Sequence, residues 1–224
     1  MDLGDKIQSN TMTAEQAAKK EKDILAYGYV RKLVYASLGK LKNKKILFMG
    51  CGSGAECKDA INKDAKVFGI DVSERLIEMA KKNHPKAKFQ VCDFEKTNFK
   101  ENSFDIVVSI FSLMYKKNLK LTLKELNRIL KKSGFILIVV PHPIRKMITY
   151  NKGNYFVKGK KWENWEGIER FNYYRLIEDY INEFVRSNFK IIALSEPKPL
   201  KLNNKVSEKQ LRHPHFLIFK LVKE

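Results

Sequence analysis

The sequence predicts an α/β domain with a mostly parallel sheet and helices on both faces. Three observations carry that expectation. From Lys45 to Pro141, short apolar runs alternate with stretches of helical period, a pattern that favours parallel pairing with right-handed crossovers. The first run, Lys45-Ile-Leu-Phe-Met, stops abruptly at Gly50-Cys51-Gly52-Ser53-Gly54. The next two runs each end in a carboxylate, Asp71 and Asp93.

Taken in order, residues 1–22 are polar and without a buried pattern, so they are expected to form a mobile arm outside a single domain of residues 23–224. Ile24 to Leu41 places Ile24, Tyr27, Val30, Leu33, Val34, Leu38 and Leu41 at helical spacing, most simply a core-facing stripe. Strands are expected at Lys45–Met49, Val67–Asp71, Ala87–Asp93, Phe104–Ser109 and Lys132–Pro141. Between them, Ser73 caps a helix over Glu74–Asn83, which His84-Pro85 ends, and a longer helix runs from Leu119 to Lys132. Residues 142–172 break the rhythm with Pro143, three glycines and both tryptophans. A connection this long reads as a lid over a substrate or as a packed surface excursion. A helix over Tyr173–Ser187 and strands at Asn188–Ser195 and His215–Val222 complete the chain, joined by a polar connection over Pro197–Arg212.

Bulk properties bound the function. At 224 residues and 44% hydrophobic content the chain can bury one full core. No stretch approaches the roughly 20 consecutive apolar residues of a membrane span, and the N-terminus lacks an apolar leader, so a cytoplasmic address without membrane partners is the default expectation. Cys51, Cys57 and Cys92 have neither paired nor metal-like spacing with the four histidines, and no metal is expected. The net charge of +19 invites a nucleic-acid partner. However, 36 of the 44 basic residues are lysines dispersed over the chain, whereas base and phosphate recognition favours the fixed fork of arginine. Nucleic acid is therefore the less favoured partner, and a small molecule, for which the charge allows acidity, the favoured one.

The glycine turn and the two acids together point to a nucleoside. Glycines tolerate positive φ and let a ligand lie against bare main chain. Asp71 follows Gly50 by 21 residues at the tip of the next strand, where a carboxylate is placed to accept two ribose hydroxyl protons. Asp93 with Phe94 offers an acceptor for an adenine amino group and a ring to cover it.

With these residues in place, the chain from about Tyr27 onward resembles the class I S-adenosylmethionine-dependent methyltransferases. The segment Leu126-Asn-Arg-Ile-Leu-Lys-Lys-Ser-Gly-Phe is especially similar to that family's helix-to-strand junction. The resemblance implies a Rossmann-like, seven-stranded, mostly parallel sheet whose last strand runs antiparallel. It implies S-adenosylmethionine as cofactor and S-adenosylhomocysteine as product. By the same resemblance Gly50, Cys51, Gly52 and Gly54 would line the methionine part, Asp71 and Val72 the ribose, Asp93 and Phe94 the adenine, and Ser109 the floor near the sulfonium. Two positions depart from the family: Phe48 stands where an acid is frequent, and Met114 where many small-molecule members carry histidine.

The implied reaction is direct displacement at the methyl carbon, for which the protein aligns the reactants and excludes water. A base is needed only if the attacking atom starts protonated. His142, between two prolines just past the fifth strand, and Tyr115 are the candidate catalytic groups; Tyr150 and Tyr155 are weaker ones, and Arg145 or Lys146 could bind an acidic substrate. Base methylation is disfavoured because the turn Ser109-Ile-Phe-Ser112 lacks the Pro-Pro-aromatic signature, and cytosine C5 chemistry because no Pro-Cys pair occurs. Three rivals stand beside a small-molecule methyltransferase: a nicotinamide dehydrogenase, since Gly50 to Ala55 also satisfies the dinucleotide pattern, an RNA methyltransferase, and a degenerate nucleoside-binding module without activity.

Overall fold

A computed structural model describes residues 24–165, 168–199 and 211–224. The expected arm over residues 1–22 and most of the connection after Pro199 lie outside the described residues. Seven strands form the main sheet: β1 (Lys45–Met49), β2 (Lys66–Asp71), β3 (Lys88–Val91), β4 (Phe104–Ile110), β5 (Leu130–Pro141), β8 (Phe189–Ser195) and β9 (Phe216–Lys223). Their spatial order is β3-β2-β1-β4-β5-β9-β8. The pairs from β3 to β5 are parallel, and β9 runs antiparallel between β5 and β8.

β1 reads as a continuous apolar run because both its faces are covered. Leu47 and Met49 point into a core shared with Leu123 and Leu126 of α4 (Leu119–Ile129) and Phe184 of α6 (Ile177–Arg186). Ile46 and Phe48 point the other way, against Val30 and Val34 of α1 (Ile24–Leu38) and Ile77 and Ala80 of α3 (Glu74–Asn83). Phe48, where the family resemblance leads one to expect an acid, is therefore a core residue. As expected, the Ser73 hydroxyl caps α3 by accepting from the Leu76 N–H. After Gly54, a 3-10 turn over Ala55–Cys57 leads into the short α2 (Lys58–Asn62). The Tyr35 hydroxyl pins this region to α1, donating to the Glu56 carbonyl at 2.6 Å and accepting from the Ala60 N–H at 3.0 Å.

The sequence expectations fail at three places. α4 ends at Ile129 rather than Lys132, because fully buried Leu130 already pairs with Phe104 and the strand then shifts register before Phe135. The segment expected as an irregular loop is regular: α5 (Pro143–Tyr150) is followed by the antiparallel hairpin β6 (Gly159–Trp165) and β7 (Ile168–Tyr174). The helix expected from Tyr173 begins only at Ile177. Tyr173 and Tyr174 finish the hairpin, and the Asp179 carboxylate accepts from the Leu176 N–H to start α6. Their aromatic, strand-favouring character outweighs the helical period of the residues that follow.

Candidate active site

The carboxyl ends of β1, β2 and β3 frame a crevice whose floor is main chain. Gly50, Gly52 and Gly54 all have positive φ, at 61°, 53° and 85°. At Gly50 the turn is also sterically closed: a Cβ would lie 2.4 Å from Ser112 Cβ. A Cβ on Gly52 would meet nothing within 4 Å, so its bare backbone borders open space. Asp71 organises the turn. Its Oδ2 accepts from the Gly52 N–H and its Oδ1 from the Ser73 N–H, each at 3.0 Å. Cys51 and Cys57 are buried, which pushes both thiols well above their ordinary range and keeps them protonated.

At the end of β3, Asp93 is engaged by a residue the sequence did not flag. The buried Lys116 ammonium lies 2.8 Å from both Asp93 oxygens and 3.6 Å from Glu95, and it sits 4.9 Å above the Phe94 ring. Arg175 holds the backbone of this lysine from the far side by donating to the Lys116 and Lys117 carbonyls. Ser109 is fully buried and hydrogen-bonds Ser112 Oγ at 2.7 Å. Ser112 in turn donates to the Met49 carbonyl at 3.0 Å, tying β4 to the glycine turn. Val72 lies between Asp71 and the capping Ser73, half-buried.

A second concavity opens beyond β4 and β5. Met114, Pro141, Lys146, Tyr155, Asn172 and Tyr173 are among the residues lining this half-open cleft. Met114, where the family resemblance leads one to expect histidine, is thus part of its wall. Lys146 of α5 is buried against the hairpin, paired with Glu163 and flanked by the rings of Tyr150 and Tyr174 at 5.0 and 5.3 Å. Arg170 faces the other oxygen of Glu163 at 3.5 Å. Burial lowers the Lys146 ammonium to about 8 even with Glu163 beside it, while the two cations hold the Glu163 carboxyl below its ordinary value against its own burial.

The candidate catalytic residues lie beside this cleft in structural settings. His142 is fully buried at the start of α5. Its Nδ1 accepts from the Ile144 N–H at 3.0 Å, which leaves the proton on Nε2 to donate to Glu196 at 2.7 Å. Both ring nitrogens are therefore engaged, and burial lowers the imidazole's pKa more than Glu196 raises it. Tyr115 packs edge-on against Phe171 of the hairpin, with ring centroids 6.2 Å apart. Sequence reasoning missed Lys116, Glu163, Asn172 and Arg175 altogether. Lys116 is one of 36 lysines and no local pattern marks it, whereas alternation along β7 would have placed Arg170, Asn172 and Tyr174 on one face had that strand been recognised.

A nucleoside fits this arrangement through the open main chain at Gly52 and the strand-end carboxylate beside it, whereas Phe94, expected to cover the adenine, is buried in the core with Lys116 over its ring. The sheet order and the crevice at its carboxyl edge define a Rossmann-like, nucleoside-binding α/β enzyme. A methyltransferase-domain family matches residues 47–138. A demethylmenaquinone methyltransferase from Staphylococcus aureus is 31% identical over 183 residues, covering 70% of this chain and 76% of its own length. Among solved structures, a protein given provisionally as an S-adenosylmethionine-dependent methyltransferase from Listeria monocytogenes superposes with a TM-score of 0.74 at 25% identity. That match covers 86% of this chain and 96% of the other. Geranyl diphosphate C-methyltransferase from Streptomyces coelicolor, solved with S-adenosyl-L-homocysteine, shares the fold at a TM-score of 0.68 and 14% identity, over 96% of this chain and 86% of its own. The chain belongs to the class I S-adenosylmethionine-dependent methyltransferases, and S-adenosylmethionine is its cofactor. No helix among the described residues is long and apolar enough to cross a membrane.

Proposed function

We propose that this methyltransferase acts on a small molecule seated in the cleft between the ends of β4 and β5 and the β6–β7 hairpin. The observation that carries this reading is the cleft itself, walled by Met114, Pro141, Tyr155, Asn172 and Tyr173 next to the cofactor crevice. Bound S-adenosylmethionine supplies an electrophilic methyl group on a sulfonium. The chain's own residues hold and shield. Asp71 accepts from the ribose hydroxyls, and the main chain of Gly50 to Gly54 borders the amino-acid part. Met114 and the tyrosines keep water from the reacting atoms, as a displacement of this kind needs.

His142 is a positioning residue in this reading. It fixes the start of α5 and tethers the segment carrying Glu196, so it shapes the cleft without facing it. The tyrosine-rich lining suits a planar ring such as that of demethylmenaquinone, the compound in the name of the Staphylococcus aureus relative. Incubation with methyl-labelled S-adenosylmethionine and a fractionated cell extract tests the acceptor class. Label is expected in the low-molecular-weight fraction. Label confined to RNA, with binding that weakens steeply with salt, would replace this reading with the nucleic-acid one.

A further inference from the structure

We infer that Asn172 is the specificity-determining residue of the cleft and selects an uncharged, planar acceptor that shows a hydrogen-bond donor beside an acceptor, as a primary carboxamide or a ring lactam does. The inference deepens the small-molecule reading and rests on it. Asn172 lines the cleft, is 1% exposed, and has neither its Oδ1 nor its Nδ2 hydrogen-bonded among the described residues. A buried amide with both ends unmet costs free energy, on the order of 1–3 kcal/mol per lost group, and a native fold retains such a group where something else completes it.

The charged groups around the cleft already have internal partners. Lys146 is paired with Glu163, Glu163 also faces Arg170, and the Arg175 guanidinium donates to the Lys116 and Lys117 carbonyls. Diverting either ion of the Lys146–Glu163 pair to a ligand would break a buried ion pair. Of the buried polar side chains lining the cleft, the Asn172 amide is the one with both a donor and an acceptor unmet among the described residues; the Tyr174 hydroxyl, also without a hydrogen bond, offers a single group. The amide oxygen accepts and its nitrogen donates, side by side, and that edge is matched in two bonds only by a ligand edge of the complementary order. A carboxylate offers two acceptors and no donor, so it repels one end of the amide. Tyr155, Tyr173 and Tyr174, which line the same cleft, favour a flat molecule over an aliphatic one.

The test uses the full chain, labelled with 15N and saturated with S-adenosylhomocysteine, titrated separately with benzamide, benzoate and ethylbenzene. Benzamide is expected to shift the Asn172 side-chain NH2 resonance saturably, while benzoate and ethylbenzene leave it in place. Asn172→Leu is expected to weaken benzamide binding about tenfold or more; because that residue is buried and the variant is at risk of misfolding, the resonance of the unmodified protein decides the matter on its own. An amide signal that is silent to benzamide, or that moves equally with all three probes, overturns the assignment. A structural water held by Asn172 would give the silent result. Binding of S-adenosylhomocysteine, recorded in the same sample, separates the two levels: its failure sinks the underlying reaction, whereas its success beside a silent Asn172 sinks only the recognition.

Discussion

The glycine turn at the end of β1 and the cleft beyond β4 and β5 lie at one edge of the sheet and are built in opposite ways. The crevice is made of main chain and strand ends: positive-φ glycines, the backbone N–H groups of Gly52 and Ser73, and a carboxylate that accepts from both. The cleft is made of side chains from α5, the hairpin and the turn after β4, with ions buried behind it and an amide left unmet in it. A backbone-lined site recognises what every member of a family shares, because main-chain groups are the same whatever the sequence. A side-chain-lined site recognises what is particular to one chain. In the proposed function the first binds the cofactor and the second chooses the acceptor.

Three perturbations test how far the two halves are separate. The largest effect is expected from Lys146→Met, which takes the closer of two cations from the buried Glu163 and should cost about 3 kcal/mol or more in denaturant unfolding. Pairing it with Glu163→Leu should recover most of that loss. A single variant within about 0.5 kcal/mol of the parent would mean that the pair does not hold the hairpin, and cofactor affinity should be untouched in either variant. Next comes Asp71→Ala, which removes a charged acceptor from two ribose hydroxyls. The expected loss is about 3 kcal/mol, roughly a hundredfold in S-adenosylmethionine affinity by calorimetry. An unchanged dissociation constant would place the ribose elsewhere.

The smallest effect concerns His142. Its buried imidazole has a pKa below the ordinary 6.5, so as pH falls the unfolded chain binds the proton before the folded one does. Stability from this group is fully present above about pH 6.5 and is lost as pH drops through the lowered value. His142→Asn keeps an oxygen to cap Ile144 while removing the titration and the bond to Glu196. The stability advantage of the parent over this variant should therefore narrow between about pH 7.5 and about pH 5. A constant difference across that range would show that His142 does not titrate with unfolding.

Legibility in the sequence follows the same division. β1, β2, β4 and the α3 cap at Ser73 were readable because each rests on local rules: a two-sided apolar run, a glycine stop, a hydroxyl before a helix. The place of β9 between β5 and β8 was not, since period shows a strand but not its neighbours; only the resemblance implied its direction. The cleft was illegible for a different reason. Lys146 and Glu163 stand 17 positions apart and meet only because α5 packs on the hairpin, and Tyr173-Tyr174 took the extended form against the helical period that follows. Lys116 could not be told from the many solvated lysines around it, because burial is decided by tertiary packing and charge alone does not show it.

The placement of β9 has a further consequence. It hydrogen-bonds β5 along one margin and β8 along the other, so a cut that removes residues 216–223 would bare two long ladders at once while leaving β1 to β4 fully paired. Such a fragment would also lose Leu217, Phe219 and Leu221 from the core beneath β1 and acquire sticky margins that invite self-association. Shortened versions of this protein made for crystallisation should therefore leave that strand intact.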